Sequence, residues 1–544
     1  MGGRRIVLAA SDSESSEYLL SSWRQMLLAT LPARFARFPF YLTDVSFENE
    51  VAPDGQAVYV PHGLRVIEAL LLREFPPEDI AVCHPGQLDR FVGNDTRVVG
   101  IHAHNPIGIT FAAGVYTRLY GGGSDPVNAV EFRRLIQHPA IARHRDHLRI
   151  IVGGPGVWQI AAAGLQQEWG IDCLVDGEAE TVALPLFKAA MNGDGLPARV
   201  KPQKARIDDI PPIRHRSTFG VVEITRGCGR GCDFCAYAAR QGTSLPLEQI
   251  LRNVRTQVAE GAKAITLVTE DLFLYEQGPR FTPNVEALRR LLHEVAAVPG
   301  VRHVLLSHAT MAPVVRNPEL LDALSPVAVE RAVTRHPAST HHDQRYAMPF
   351  LGLETGSVRL FEKLMKGKSY PFRPQQWPDV VLRGMELLNR RNWFPFCTFV
   401  IGLPGETDAD TRASLDLLHA LRTAKWCVVP TFFVPLEDTR LHDRGSARLG
   451  ELTELQWEFF FTCWRYNLDF FRNTPSVQWK FNVGVPLYYY LMGRRLLGPR
   501  IKYPILRLAH VPERLLRRRL YLDLSRGDYR VPDAVPVPPE SMRS

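Results

Sequence analysis

What the chain lacks narrows its reading first. No window offers about eighteen uninterrupted apolar residues, so no segment reads as a membrane span. The apolar run after Arg4-Arg5 holds only Ile6 to Ala10, too short for a secretory signal, and Ile6 spoils a myristoylation signal. Cysteine is sparse, at 8 in 544 residues, which excludes a disulfide-stapled scaffold. An extreme charge is missing too: the formal net charge is +8, and part of it comes from the Lys and Arg residues crowded between Arg494 and Arg519. No repeat shorter than a domain is found. With 45% hydrophobic and 22% charged residues, global disorder is excluded. A chain this long exceeds one hydrophobic core, so two or three domains are expected. A cytoplasmic, reducing location is expected.

What is present is an alternation. From Arg4 to about Val200, strands are expected at Arg5–Ala9, Ile80–Cys83, Val98–Ala103, Arg149–Val152 and Asp172–Val175, with helices at Tyr18–Leu31 and Leu64–Arg73. This pattern predicts an α/β, doubly wound, Rossmann-like parallel sheet. Ligands of such sheets sit at the carboxyl ends of strands, where Gly153-Gly154-Pro155-Gly156 and Asp176-Gly177-Glu178 fall. The proline-bearing stretch Lys201 to Ser217 marks a boundary. A second series follows, with strands at Val221–Thr225, Ala264–Val268, His303–Ser307, Phe350–Glu354, Phe396–Gly402 and Val428–Val434. Helices at Leu247–Glu260, Val285–Ala297 and Ala413–Leu421 lie between them. Six βα units fit a partial (β/α)6 barrel better than a full eight-fold one. His336 to Ala347 interrupts the rhythm and reads as a surface insertion. After about Leu441 the chain turns helical and aromatic, then basic, and Val531 to Ser544 is proline-rich and loose. The expected domains are 1–205, 206–440 and 441–544.

Three of the cysteines sit together. Cys228, Cys232 and Cys235 have the spacing C-x3-C-x2-C on a glycine-rich segment that follows the first strand of the second series. Thiolates are natural ligands of iron–sulfur clusters, which usually take four. Three close cysteines leave one iron open to a substrate or cofactor. The alternative is a zinc knuckle, which needs a fourth Cys or His nearby; His215 and His293 are the nearest candidates. Cys83, Cys173, Cys397, Cys427 and Cys463 are scattered among apolar neighbours and read as packing.

The cysteine segment, with Phe234 before the third cysteine, resembles the radical S-adenosylmethionine (radical SAM) superfamily. The resemblance implies a [4Fe–4S] cluster whose open iron chelates S-adenosylmethionine, and an electron that cleaves it to a 5′-deoxyadenosyl radical. Later strand ends carry the likeness further. Gly352-Leu-Glu-Thr-Gly-Ser357 resembles the family's "GxESGS", with Glu354 and Ser357 implied to contact S-adenosylmethionine. Val400-Ile-Gly402-Leu-Pro-Gly-Glu-Thr407 resembles "GLPGET". Glu270 and Asp271 end the second strand, where the superfamily often has an acid facing the amino end of S-adenosylmethionine, and Glu270 is the candidate; an acid there equally suits a helix cap. Pro435-Leu-Glu-Asp-Thr439 departs from the family's "PxPGT" at Glu437 and Asp438.

Residues 50 to 440 together resemble the cobalamin-binding class of this superfamily. The matching pieces are Pro61-His62-Gly63-Leu64, Gly153-Gly154-Pro155-Gly156 and Asp176-Gly177-Glu178-Ala-Glu180. The Asp-x-His-x-x-Gly of the best-known cobalamin domains is absent, which leaves His62, His102 and His104 as histidines able to approach the corrin's lower face. The implied activity is methylation of an unactivated carbon of a small-molecule, lipid or natural-product substrate, fed by a one-electron reductant such as flavodoxin or ferredoxin. A radical cyclase or mutase without cobalamin is the alternative. An RNA methylthiotransferase is set aside: that reading needs three more cysteines in the first domain, which offers only Cys83 and Cys173, and no nucleic acid is expected as partner. A non-catalytic binding protein is disfavoured by the intact cysteine triplet. The basic tail suits either peripheral contact with anionic lipid or a solvated face. No residue is singled out as a catalytic acid or base.

Overall fold

The computed structural model describes residues 2–17, 32–33, 49–111, 113–121, 125–238, 241–333 and 345–470. The expected helix Tyr18–Leu31, residues 336–344 of the expected insertion and the basic, proline-rich tail lie outside the described residues. No helix among the described residues is long and apolar enough to cross a membrane.

The first sheet has six parallel strands: β1 (Ile6–Ala10), β2 (Ile80–Cys83), β3 (Val98–His102), β4 (Arg149–Gly153), β5 (Cys173–Val175) and β6 (Arg199–Val200). They pair in the order β2-β1-β3-β4-β5-β6. Every residue of β1 is buried, as expected for a parallel strand covered on both faces. Phe132, Ile136 and Trp169 pack on one face, and Leu64, Leu71 and Phe187 on the other. The chain steps outward from β1 to β2 and then returns to β3. The β1/β3 boundary is therefore the topological switch point, where a doubly wound sheet opens a crevice at its carboxyl edge. The two-residue β6 was not anticipated, being too short to carry a period.

The second unit holds β7 (Val221–Glu223), the antiparallel pair β8 (Thr225–Arg226) and β9 (Thr243–Ser244), then β10 (Ala264–Val268), β11 (His303–Leu306), β12 (His308–Ala309), β13 (Phe350–Glu354), β14 (Phe396–Ile401) and β15 (Cys427–Phe432). Parallel ladders run through β7, β10 and β11 and through β12 to β15. Ser307 joins them: its N–H donates to Leu267 O (3.2 Å) and its carbonyl accepts from Phe350 N–H (2.7 Å). Six parallel strand positions thus follow one another, as the apolar runs predict.

A partial barrel leaves an edge, and an uncovered edge invites pairing with other chains. Here β15 is covered from both flanks. Asn467, on the helix Glu454–Phe470, accepts from Val428 N–H (2.9 Å) and donates to Val428 O (2.6 Å). From the first unit, Phe111 O accepts from Phe432 N–H (3.0 Å), and the Tyr116 hydroxyl donates to Pro430 O. The Tyr116 ring sits 5.9 to 6.1 Å from those of Phe432, Phe460 and Trp464. The aromatic stretch after Leu441 is therefore core, closing the barrel's flank.

Most element ends fall within one or two residues of the sequence reading, and two differences are larger. The helix expected at Ala413–Leu421 is Asp408–Ala420. Its start is set by a capping box in which Thr407 N–H donates to Asp410 Oδ2 (2.8 Å). At the end of the expected surface insertion, Tyr346 and Ala347 are buried, and Ala347 pairs with Trp393 beside β14. That end belongs to the barrel wall.

Candidate active site

The cysteine loop leaves β8 through Gly227, Gly229 and Gly231, with φ of 79°, 73° and 73°. That left-handed backbone suits glycine and turns the chain around a centre. The loop's backbone closes on itself, with Gly231 N–H donating to Ala238 O (3.0 Å) and Cys235 N–H to Cys232 O (3.2 Å). All three cysteines are partly buried. Burial pushes the Cys228 thiol up to about 11 and the Cys232 thiol up to about 12, and raises Cys235. Among the described residues no three His, Cys, Asp or Glu side chains converge on one ion. A cluster asks for something else, since each thiolate takes a different iron. The zinc alternative loses its fourth ligand: His215 is bound to Glu68 (2.9 Å), and His293 lies exposed on the helix Val285–Ala297.

Sequence reasoning missed what anchors the loop. Arg230, one of the three residues between Cys228 and Cys232, is 4% exposed. Its Nη2 donates to Asp271 Oδ2 (3.0 Å) and to Thr310 Oγ1 (3.3 Å), while Thr310 donates to the same Asp271 oxygen (2.7 Å). Asp271, just past the end of β10, is thus the loop's tether. Glu270 beside it has a buried Oε2 with no partner among the described residues. Burial raises its pKa, against opposing backbone hydrogen bonds that include one from Gly227. This carboxyl oxygen next to the loop is left available to a water or a bound ligand.

Glu354, at φ 66° beside a register shift in β13, is held inside the protein: Lys368 Nζ donates to Oε1 (2.5 Å) and Thr398 to Oε2 (3.1 Å). The Ser357 hydroxyl caps the helix Val358–Met365, accepting from Leu360 N–H (3.2 Å) and donating to Asp410 (2.5 Å). Gly402, at φ 78°, donates its N–H to Glu406 (2.5 Å). Phe234 stacks edge-on against Phe111 of the first unit (6.3 Å between centroids).

At the carboxyl edge of the first sheet, the structure separates the other candidates. His102, ending β3, holds Glu14 through Nδ1 (2.8 Å), and Glu14 also accepts from His104 N–H (2.9 Å). Glu14 follows β1, so the pair straddles the switch point. A Cβ on Gly63 would lie 3.8 Å from His102 Nε2, so the absent side chain keeps that face of the ring clear. His62 lies instead toward Val221, Glu223 and Arg226; burial lowers its pKa, and its Nδ1 is buried with no partner among the described residues. Gly154 needs to be glycine: its φ is 112° and a Cβ would lie 2.7 Å from Ala103 O. At Gly153 a Cβ would meet only Val175 at 3.9 Å, and Pro155 is exposed. Gly177 (φ 138°) turns the chain into Glu178, which accepts from Arg226 Nη1 (2.9 Å) and Ala205 N–H (2.9 Å). Glu178 is therefore a latch onto β8, the strand that leads into the cysteine loop.

Residues 222–418 match the family model described as the Radical SAM superfamily. The chain carries a radical SAM domain. The matched residues contain the cysteine loop, Glu270, Glu354 and Gly402. Curated relatives include "tRNA-2-methylthio-N(6)-dimethylallyladenosine synthase" from Alteromonas mediterranea, 24% identical over 40% of this chain and 42% of the relative. The enzyme of the same name from Delftia acidovorans is 23% identical over 46% of this chain and 53% of the relative. The chain thus spans only about half the length of these relatives. Among solved structures, the radical S-adenosylmethionine methyltransferase TsrM from Kitasatospora setae, with cobalamin and a [4Fe-4S] cluster bound, superposes with a TM-score of 0.52 at 16% identity, over 81% of this chain and 77% of TsrM. Its complex with tryptophan substrate and a SAM analogue gives 0.52 at 17% identity, over 80% and 75%. That likeness extends the shared fold beyond the radical SAM domain into the first unit.

Proposed function

We propose that this chain is a radical SAM enzyme, organised as domains 1–205, 206–440 and 441–544, that uses cobalamin to methylate an unactivated carbon. The observation that carries the reading is the cysteine loop inside the radical SAM domain. Its three thiols, wrapped by left-handed glycines and tethered through Arg230 to Asp271, suit a [4Fe–4S] cluster with one iron open. When bound, the cluster supplies the electron that cleaves S-adenosylmethionine, and the corrinoid supplies a methyl group. Glu270 offers its unpartnered oxygen to the amino group of S-adenosylmethionine. Phe234 and Phe111 wall the site with apolar rings and exclude water from it. His102, aligned by Glu14, would be the histidine to ligate a corrinoid through Nε2, in the arrangement in which a carboxylate orients a ligating imidazole. Gly63 leaves the His102 ring open to close approach of the cofactor, while Gly154 packs the turn after β4 against the Ala103 backbone. The substrate is a small molecule, lipid or natural product, and an external one-electron reductant completes the system.

A second reading, tRNA methylthiolation, is favoured by the names of the curated relatives. It lacks ligands for a second cluster. Cys83 and Cys173 are fully buried within β2 and β5, in separate apolar cores, and burial pushes their thiols up to about 12 and about 11. The deciding experiment is anaerobic reconstitution with iron, sulfide and hydroxocobalamin, followed by removal of excess and quantitation of iron and corrinoid. About one corrinoid per chain, with 5′-deoxyadenosine formed from S-adenosylmethionine, is expected. 5′-Deoxyadenosine without retained corrinoid would leave a radical enzyme of another kind.

A further inference from the structure

The turn Lys366–Ser369, which follows the helix Val358–Met365, carries two lysines with opposite fates. Lys366 is exposed, whereas Lys368 is buried with its ammonium on Glu354 (2.5 Å), the two side chains 10% and 8% exposed. Gly352 makes the space: a Cβ there would lie 1.8 Å from Glu354 Oε1 and 2.4 Å from Lys368 Nζ. The turn is also fastened to the cysteine loop. Asp233 N–H donates to Leu364 O (2.8 Å), and Arg230 Nη1 reaches Gly367 O and Lys368 O at 3.5 Å each. A Cβ on Gly367 would lie 2.0 Å from Arg230 O, so the two backbones touch. Burial pushes the Lys368 ammonium down, but Glu354, Cys232 and Cys235 outweigh it and the net direction is up. The ammonium and the two thiols therefore share one electrostatic neighbourhood.

A cluster held by thiolates is anionic, and reduction adds a further negative charge. A fixed cation nearby stabilises the reduced state, and does so most strongly where water is kept out. We propose that Lys368 tunes the cluster: its buried ammonium raises the cluster's reduction potential, and Glu354 sets how much of that charge the cluster feels. Lys368 acts here through the field at the cluster, and Thr398 and Gly352 keep Glu354 in place to moderate it.

This inference rests on the cluster reading above. Wild type, Lys368→Met, Lys368→Arg and Glu354→Gln are reconstituted, assayed for iron and sulfide per chain, and titrated with a low-potential reductant without S-adenosylmethionine. The reduced cluster is followed by electron paramagnetic resonance. Lys368→Met is expected to lower the ratio of reduced to oxidised cluster about tenfold at a fixed poise, equivalent to about 59 mV for one electron. Lys368→Arg is expected to stay near wild type. Glu354→Gln is expected to move the potential in the opposite direction, upward. A loss of fold alone would not move two variants in opposite senses. Equal potentials in wild type and Lys368→Met, or shifts of one sign in Lys368→Met and Glu354→Gln, would overturn the proposal. So would loss of the cluster in both lysine variants, which would give Lys368 a role in assembly. Wild type without a cluster would instead sink the functional reading on which this rests.

Discussion

The cysteine loop and the carboxyl edge of the first sheet are assembled in opposite ways. The loop gathers its candidate ligands from eight consecutive residues, Cys228 to Cys235, and recruits distant partners only to hold them: Asp271, Thr310 and the Lys366–Ser369 turn. The sheet edge gathers its parts from across the chain. Glu14 and His102 are 88 residues apart and meet only because β1 and β3 are neighbours in a sheet whose order reverses there. In the first region local spacing carries the chemistry and tertiary structure tunes it. In the second, tertiary structure creates the candidate site. The two are joined by Arg226, one residue before the loop's first glycine, which binds Glu178 (2.9 Å) and Glu180 (2.9 Å) of the first unit and Glu223 (2.7 Å) of β7.

The comparison breaks first at the cysteines. Cys232→Ala is expected to abolish reconstituted cluster absorbance and 5′-deoxyadenosine formation while corrinoid retention stays at the wild-type level. Loss of both would mean that the two regions are one cooperative site. Arg226→Met comes next. It leaves three carboxylates crowded at a largely buried seam, and breaking such a network costs about 3–5 kcal/mol. The urea midpoint is expected to fall accordingly, with Arg226→Lys recovering little, because a single ammonium does not span three carboxylates as a guanidinium fork does. An unchanged midpoint would show that the seam is held by something else. Glu14→Gln is the subtler test of the sheet edge. It keeps the shape and loses the charge that aligns His102, so corrinoid affinity is expected to weaken about 10–100-fold, with cluster content untouched. Equal affinity would remove His102 as the oriented ligand.

This contrast also explains what was legible in the sequence. The strands β1 to β5 and the six parallel positions of the barrel were readable because buried parallel strands are apolar runs between glycine-rich turns. The cysteine spacing was readable because its information is local. The β8–β9 hairpin was not, since Thr225-Arg226 and Thr243-Ser244 are polar pairs too short to show a period. Nor were Arg230, Lys368 and the tethering role of Asp271. Each of the three is a single charged residue whose burial depends on a partner 41, 14 or 39 positions away, and a lone lysine in Lys366-Gly-Lys368 looks like any exposed turn. Gly352 and Gly367 were the available signals, as both vacate space that a side chain would otherwise fill. The Pro61-His62-Gly63 segment placed Gly63, and not His62, beside the His102 ring, a juxtaposition that only the sheet order reveals.

The smallest effect concerns the helix His62–Leu71, which carries Gly63 to the sheet edge and is pinned at its middle by Glu68 to His215 (2.9 Å). The hydrogen bond that His215 donates to Glu68 raises the His215 pKa above its ordinary 6.5, with burial opposing, while burial raises Glu68 and Arg65 and His215 bring it below its ordinary 4.5. For a histidine whose folded pKa is raised, the stabilisation is fully present below 6.5 and is lost as pH rises through the folded value. For the carboxylate the sign reverses: its share is present above 4.5 and is lost as pH falls through its lowered value. The pair is therefore strongest between these two ordinary values and fades toward alkaline pH. His215 is 47% exposed, so solvent screening keeps the effect modest. His215→Ala is expected to lower the melting temperature at about pH 5.5 and to match wild type at about pH 8.5. Corrinoid retention should follow the same pH trend, because Gly63 rides on this helix, whereas cluster content should not. If the melting difference persists at the higher pH, His215 stabilises by packing, and the sheet edge gains no pH sensitivity from it.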